Sequence, residues 1–181
     1  MGIIIAIIAL VVFLIFRGKG PKKPDTIPAF ETPKDFIEWF EKKVAFMKDL
    51  NFDTRAVIAH AALETGWGKH LPTDMNSGRV SLNFFGIKWY PGWPSDYVTC
   101  LTKEYDPNTG EYYNTTADFR AYKTIKEGLE DYVSLVKRKY PKAWENRSNY
   151  EQYIKEIAWG GWCPTPTYVN SILSIIEKYL L

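Results

Sequence analysis

Glu64 closes Ala56-Val57-Ile58-Ala59-His60-Ala61-Ala62-Leu63, the most apolar helical stretch of the domain. A carboxylate in such a setting is costly unless it is paired or put to use. Partial burial raises the pKa of such a group and keeps part of it protonated near neutral pH, as a general acid requires. An ion-paired acid at a helix end is the structural alternative, and on this residue alone it is the commoner case. His60 lies one helical turn earlier on the same face, which suits a packing or supporting role. Glu104 is a second acid, in a stretch rich in β-formers; with Lys103 beside it, it also reads as a solvent-facing strand charge. His70 has no partner motif. Two His and two distant Cys provide no metal-ligand spacing, so neither a metal nor a cofactor is expected.

The elements that must position these residues are mostly helical. Thr32-Pro33-Lys34-Asp35 is a cap followed by Phe36, Phe40, Val44 and Met47 at helical spacing, predicting a helix over 33–49. Asn51-Phe52-Asp53 breaks the chain, and 54–67 reads as a buried central helix ended by Gly66 and Gly68. Residues 70–95 show no sustained period. Tyr97–Tyr105 and Glu111–Phe119, around Asp106-Pro107-Asn108-Thr109-Gly110, predict a β-hairpin. Thr124-Ile125-Lys126-Glu127 is a capping box, with Ile125, Leu129, Val133, Val136 and Tyr140 as the stripe behind it and Pro141 as its stop. A short helix near 149–159 closes at Gly160-Gly161, and a last one starts near Pro166 with Val169, Ile172, Leu173, Ile176 and Leu180 on one face. The class is α+β, mainly α, with a β-hairpin lobe.

The 181 residues fit one domain plus an accessory segment. Ile3 to Phe16 is an unbroken apolar run, followed by Arg17, Lys19, Lys22 and Lys23. It lacks the leading basic residues and small-residue cleavage site of a signal peptide, so residues 1–16 are expected to form a transmembrane helix that anchors the chain in a lipid bilayer. The following charges place the domain on the cytoplasmic side by the positive-inside rule, which conflicts with an extracytoplasmic role. Residues 17–33, rich in Pro, Gly and Lys, read as a semi-extended linker, leaving 34–181 as the domain. Residues 24–181 hold 19 basic against 21 acidic side chains. That balance gives no footprint for nucleic acid.

Five motifs occur in order: Ala59–Gly68 (AHAALETGWG), Asn83–Lys88 (NFFGIK), Thr102–Tyr105 (TKEY), Phe119–Tyr122 (FRAY) and Gly161–Tyr168 (GWCPTPTY). Together they resemble the peptidoglycan N-acetylglucosaminidases of glycoside hydrolase family 73, a family that includes flagellar rod-cap hydrolases. The resemblance covers roughly 34–181. It implies a lysozyme-like fold, with helices around a groove, and hydrolysis of the peptidoglycan glycan strand. It implies Glu64 as the general acid and Glu104 as the second carboxylate, which activates water unless the substrate's own 2-acetamido oxygen attacks. Tyr168 matches the tyrosine lining the cleft, and Asn83, Phe84, Phe85 and Lys88 belong to the cleft-lining segment. Thr165 stands where the family usually has Asp.

Such chemistry pairs an acid for the leaving oxygen with a base or nucleophile on the other face. Trp67, Trp89, Tyr90, Trp93, Tyr112, Tyr113 and Trp162 lie around the motifs. Their flat faces suit pyranose rings, with core packing the alternative for about half of them; Trp67 and Trp162 are taken as substrate-binding. Cys100 and Cys163 are expected as free thiols, although a disulfide would tie the hairpin to the far cleft wall. Three functions follow. The first is an endo-β-N-acetylglucosaminidase, a bacteriolytic enzyme held in a cell membrane facing the wall or, alternatively, in the membrane of a phage virion. The second is a muramidase or lytic transglycosylase of the same fold. The third is a non-catalytic wall-binding component.

Overall fold

The computed structural model describes residues 25–106, 109–163 and 165–181, with backbone alone at 103–106 and 112. Helix α1 (Pro33–Val44) begins at a reciprocal box: Thr32 Oγ1 accepts from the Asp35 N–H at 3.3 Å, and Asp35 Oδ2 accepts from the Thr32 N–H at 2.8 Å. It buries Phe36, Phe40 and Val44, and a 3-10 turn (Ala45–Leu50) brings the chain to left-handed Asn51. Helix α2 (Thr54–Thr65), capped by Asp53, buries nine of its 12 residues and packs against α1, α5 and α6. It is central because its run Ala56–Leu63 is apolar on every face apart from His60. Gly66 ends it at φ 54, where its N–H meets the carbonyls of Ala62 and Leu63.

Strands β1 (Tyr97–Asp106) and β2 (Glu111–Arg120) form an antiparallel hairpin, in register from Tyr97↔Arg120 to Asp106↔Glu111. Helix α3 (Ile125–Lys139) starts at the Thr124–Glu127 box and buries Ile125, Leu129, Tyr132, Leu135 and Val136, so its inner stripe runs through Tyr132, with Val133 only half-buried. Pro141 both stops α3 and opens the short α4 (Pro141–Glu145), where its missing N–H costs nothing. Helix α5 (Tyr150–Ile157) runs into a π-turn (Ala158–Trp162), kinked at Gly161, before α6 (Pro166–Tyr179). The expected mainly helical α+β architecture with one hairpin is therefore present. Cys100 and Cys163 are both free thiols.

The packed unit begins earlier than the linker expectation allowed. Phe30 is buried, with its ring edge-on to Phe36 at 5.4 Å, and Asp25 Oδ2 accepts from the Ile125 N–H at 2.9 Å, capping α3. Burying one aromatic contributes about 1.5–3 kcal/mol, enough to hold a proline-rich segment down. Among the described residues no helix is long and apolar enough to cross a membrane. The transmembrane helix expected at 1–16, and residues 17–24 of the linker, lie outside the described residues.

Candidate active site

Glu64 sits in the last turn of α2, with 23% of its side chain exposed. Its Oε1 accepts from the Tyr168 hydroxyl at 2.5 Å and from the Trp162 Nε1–H at 3.0 Å, and His60 Nε2 lies 3.5 Å away. Each donor has its own support. The π-turn presents Trp162, the first turn of α6 presents Tyr168, and His60 stands one turn back on α2. Thr165, at the position where the resembled family has Asp, still caps α6: its Oγ1 accepts from the Tyr168 N–H at 3.2 Å. His60 is fully buried and continues the contacts inward, Nε2 to Tyr168 Oη at 2.7 Å and Nδ1 to Tyr132 Oη at 2.9 Å; Tyr132 Oη then meets Tyr153 Oη at 2.6 Å.

Burial alone raises the Glu64 pKa, as the sequence suggested. The net direction is the opposite: adjacent His60, with the bonds from Tyr168 and Trp162, outweighs burial and holds the carboxyl below its ordinary range. Burial pushes the Tyr168 phenol far up, and the adjacent Glu64 charge adds to this; burial also raises Tyr132 and Tyr153. All three phenols therefore remain protonated across the working pH range.

The other carboxylate oxygen differs. Oε2 has no hydrogen-bond partner among the described residues and faces Gly86, whose φ is +58 and where a Cβ would stand 3.9 Å from it. Glu64 and Gly86 both line two cavities. One, of about 710 Å³, runs past His70, Asp74, Cys100 and Thr102 toward the hairpin. The other, of about 700 Å³, runs past Phe85, Tyr90, Tyr140 and Trp162 toward Arg138 and Lys139 at the end of α3. A third, of about 410 Å³, reaches Glu64 from the side of Thr165 and Tyr168. Both larger volumes are ordinary for small-ligand sites.

The expected site residues divide. Glu64, Trp162 and Tyr168 meet directly. Phe85 lines the second cavity while stacking on Tyr132 at 3.6 Å, and Lys88 stands exposed on that cavity's wall. Asn83 edges the first cavity but is buried as a hub: Oδ1 accepts from the Ile87 N–H at 3.0 Å, and Nδ2 donates to the carbonyls of Ile87 at 2.9 Å and Arg120 at 3.0 Å. Phe84 and Trp67 lie against other rings. Phe84 packs on Phe40 at 4.8 Å and Trp67 on Tyr179 at 5.1 Å, and neither lines a cavity that contains Glu64. Both are apolar surfaces taken by the α1 side of the core. Glu104 stands on β1 opposite Tyr113, and its side chain lies outside the described residues.

Asp74 is the other described carboxylate on these walls. Its oxygens accept from the N–H groups of Ser77 at 2.8 Å, Asn76 at 3.2 Å and Thr99 at 3.1 Å. Those bonds lower its pKa to about 2, which makes it a loop tie and a weak base. Sequence reasoning missed Tyr132, Tyr153 and Gly86. A tyrosine on a buried stripe was the available signal for the first two, because a buried hydroxyl needs a partner.

A family model for mannosyl-glycoprotein endo-beta-N-acetylglucosaminidase matches residues 41–181. The chain belongs to this glucosaminidase family. As a glucosaminidase-family chain it is a glycoside hydrolase. It is 32% identical over 170 residues to peptidoglycan hydrolase FlgJ of Vibrio parahaemolyticus, covering 91% of this chain and 53% of that one. It is 31% identical over 130 residues to exo-glucosaminidase LytG of Bacillus subtilis, covering 67% of this chain and 42% of that one. The glycoside hydrolase domain of Salmonella typhimurium FlgJ, in a C-terminally truncated structure, superposes with a TM-score of 0.66 at 29% identity, covering 81% of this chain and 97% of that domain. This glucosaminidase-family chain spans about half the length of the curated relatives it matches.

Proposed function

We propose that the chain hydrolyses the glycan strand of peptidoglycan after N-acetylglucosamine, with Glu64 as general acid. The two oxygens of Glu64 carry this assignment. Two donors and the His60 ring crowd Oε1 from inside, while Oε2 stands between two cavities that suit sugars on either side of one glycosidic bond. The acid proton belongs on Oε2. It passes to the glycosidic oxygen as the C1–O bond breaks, and the leaving sugar departs as an alcohol. The positive charge growing at C1 is met by water deprotonated by Glu104, or by the substrate's 2-acetamido oxygen followed by water. The resting carboxylate is ionised near neutrality and takes up its proton before turnover. A saccharide covering Oε2 excludes water and favours the protonated form. Similarity to peptidoglycan hydrolase FlgJ and exo-glucosaminidase LytG supports the substrate and bond type.

Glu64→Gln tests the acid: it is expected to abolish clearing of cell walls in a zymogram while the protein stays folded, and persistent clearing refutes the assignment. Glu104→Gln tests the second step, because loss of turnover favours a water-activating base and retention favours the acetamido route. A lytic transglycosylase of the same fold, which works with a single acid, is the alternative function. Mass spectrometry of the product ends separates the two: reducing N-acetylglucosamine supports the hydrolase, anhydro-muramic ends the transglycosylase. Binding to walls without turnover would instead support the wall-binding component.

We also propose that residues 1–16 anchor the chain in a bilayer, with the domain facing the cell wall or, alternatively, in a phage virion membrane. The uninterrupted apolar run Ile3–Phe16 supports this. Sedimentation of the full chain with membranes, and its loss on deleting 1–16, is the expected result.

A further inference from the structure

The contacts behind Glu64 have a direction that follows from bonding rules. Tyr168 has one hydroxyl proton, and it points at Glu64 Oε1. The Tyr168 oxygen can then only accept from His60, so Nε2 carries a proton. In a neutral imidazole this leaves Nδ1 an acceptor, filled by the Tyr132 hydroxyl. Tyr132 has then used its own proton, and its oxygen accepts from Tyr153. Every bond from Tyr153 to Glu64 points the same way, through a path whose inner members are fully buried. Reversing the His60 tautomer would turn the Tyr168 proton toward Nε2 and leave Oε1 a site for the Glu64 proton. That proton would then face the protein interior instead of a sugar.

We propose that His60, held as the Nε2–H tautomer by Tyr132, is a positioning residue that fixes the Tyr168 hydroxyl as donor to Glu64 Oε1 and so confines the transferable proton to Oε2, on the cleft side. This rests on Glu64 being the acid, and it adds what decides which of the two oxygens carries the proton. The phenol–imidazole–phenol path is closed to solvent at its inner end, since Tyr153 is buried and its hydroxyl bonds to Tyr132 alone among the described residues. It therefore works as an orienting device and does not conduct protons to the surface.

The chain has only two histidines, so 15N-histidine labelling of the full-length protein, with His70→Gln to assign signals, reads the ring state directly. The expected spectrum shows His60 neutral, protonated at Nε2 and accepting at Nδ1. Tyr132→Phe is expected to turn this into a mixture of tautomers and to lower kcat several-fold with KM unchanged. His60→Gln puts a carboxamide N–H near the Nε2 position and is expected to keep kcat within about fivefold, whereas His60→Phe loses about 100-fold, the lower range for a misplaced general acid. A resting ring protonated at Nδ1 alone or at both nitrogens overturns the proposal, as does an unchanged spectrum and kcat in Tyr132→Phe. If His60→Phe fails to fold, the spectrum and Tyr132→Phe still decide. Full turnover in Glu64→Gln would refute the acid assignment itself, whatever the tautomer.

Discussion

On the helical side of the cleft, α2, the π-turn and α6 bring His60, Trp162 and Tyr168 onto one carboxylate oxygen, with buried Tyr132 and Tyr153 behind them. On the hairpin side, β1 and β2 form a two-stranded sheet to which only a short bridge at Lys88↔Phe119 is added among the described residues; they enclose the small cluster Val98, Cys100 and Ala121, and leave Leu101 69% and Tyr113 50% exposed. A two-stranded hairpin of this kind is marginal by itself. Asp74 ties it to the preceding loop through the Thr99 N–H at 3.1 Å, and the Met75 N–H returns a bond to the Thr99 carbonyl at 2.9 Å. The group that must be aimed is thus built into the densest part of the molecule. The wall that has to admit a polymer hangs on a few bonds, the kind of region that opens locally at low cost.

Experiments can break this contrast, beginning with the largest effect. Glu64→Gln is expected to lower kcat by about 10³-fold or more. Thermal melts under acid should also change: the folded Glu64 pKa is depressed, so its stabilisation is full above the unfolded value and is lost as pH falls through the folded one. The variant should therefore show a shallower acid loss than the parent. Asn83→Ala strips the hub that joins the cleft floor to Arg120 and should cost about 2–3 kcal/mol in denaturant unfolding, with both sides of the cleft affected.

Tyr168→Phe removes one donor from the carboxylate. The Glu64 pKa then rises, so the alkaline limb of kcat/KM moves to higher pH while kcat falls about tenfold. Asp74→Ala should speed hydrogen exchange at Thr99 and its strand neighbours while leaving α2 amides protected; equal loosening of both would erase the distinction. In the parent this tie is complete above the ordinary Asp pKa and is lost as pH falls toward about 2. Leu101→Lys, at an exposed strand position, should change stability by no more than about 0.5 kcal/mol.

Local chemistry was the legible part of this chain. The Thr32 and Thr124 boxes and the Gly66 cap each depend on residues within four positions, so helix ends could be read from sequence, and so could Glu64 as a carboxylate out of place. What escaped depends on distance along the chain. The direction of the Glu64 pKa depends on His60, four residues back, and also on donors 98 and 104 residues away, which no periodicity reveals. The Asn83 side chain reaches a carbonyl 37 residues on, so a residue expected to touch substrate serves as an internal clamp. Trp67 and Phe84 pack on other rings, a contact the sequence does not reveal because an aromatic reads the same whether its face meets a sugar or another ring. Phe30 and Asp25 failed as linker for a related reason: prolines signal an extended backbone, and an extended backbone can still dock.

The docking of Asp25 against the start of α3 also sets a leash. Eight residues separate Phe16 from Asp25. Even pulled taut they span only about 30 Å. The bilayer anchor proposed above would therefore hold Asp25 within that radius of the membrane, and the domain would graze a thin shell of material instead of roaming through it.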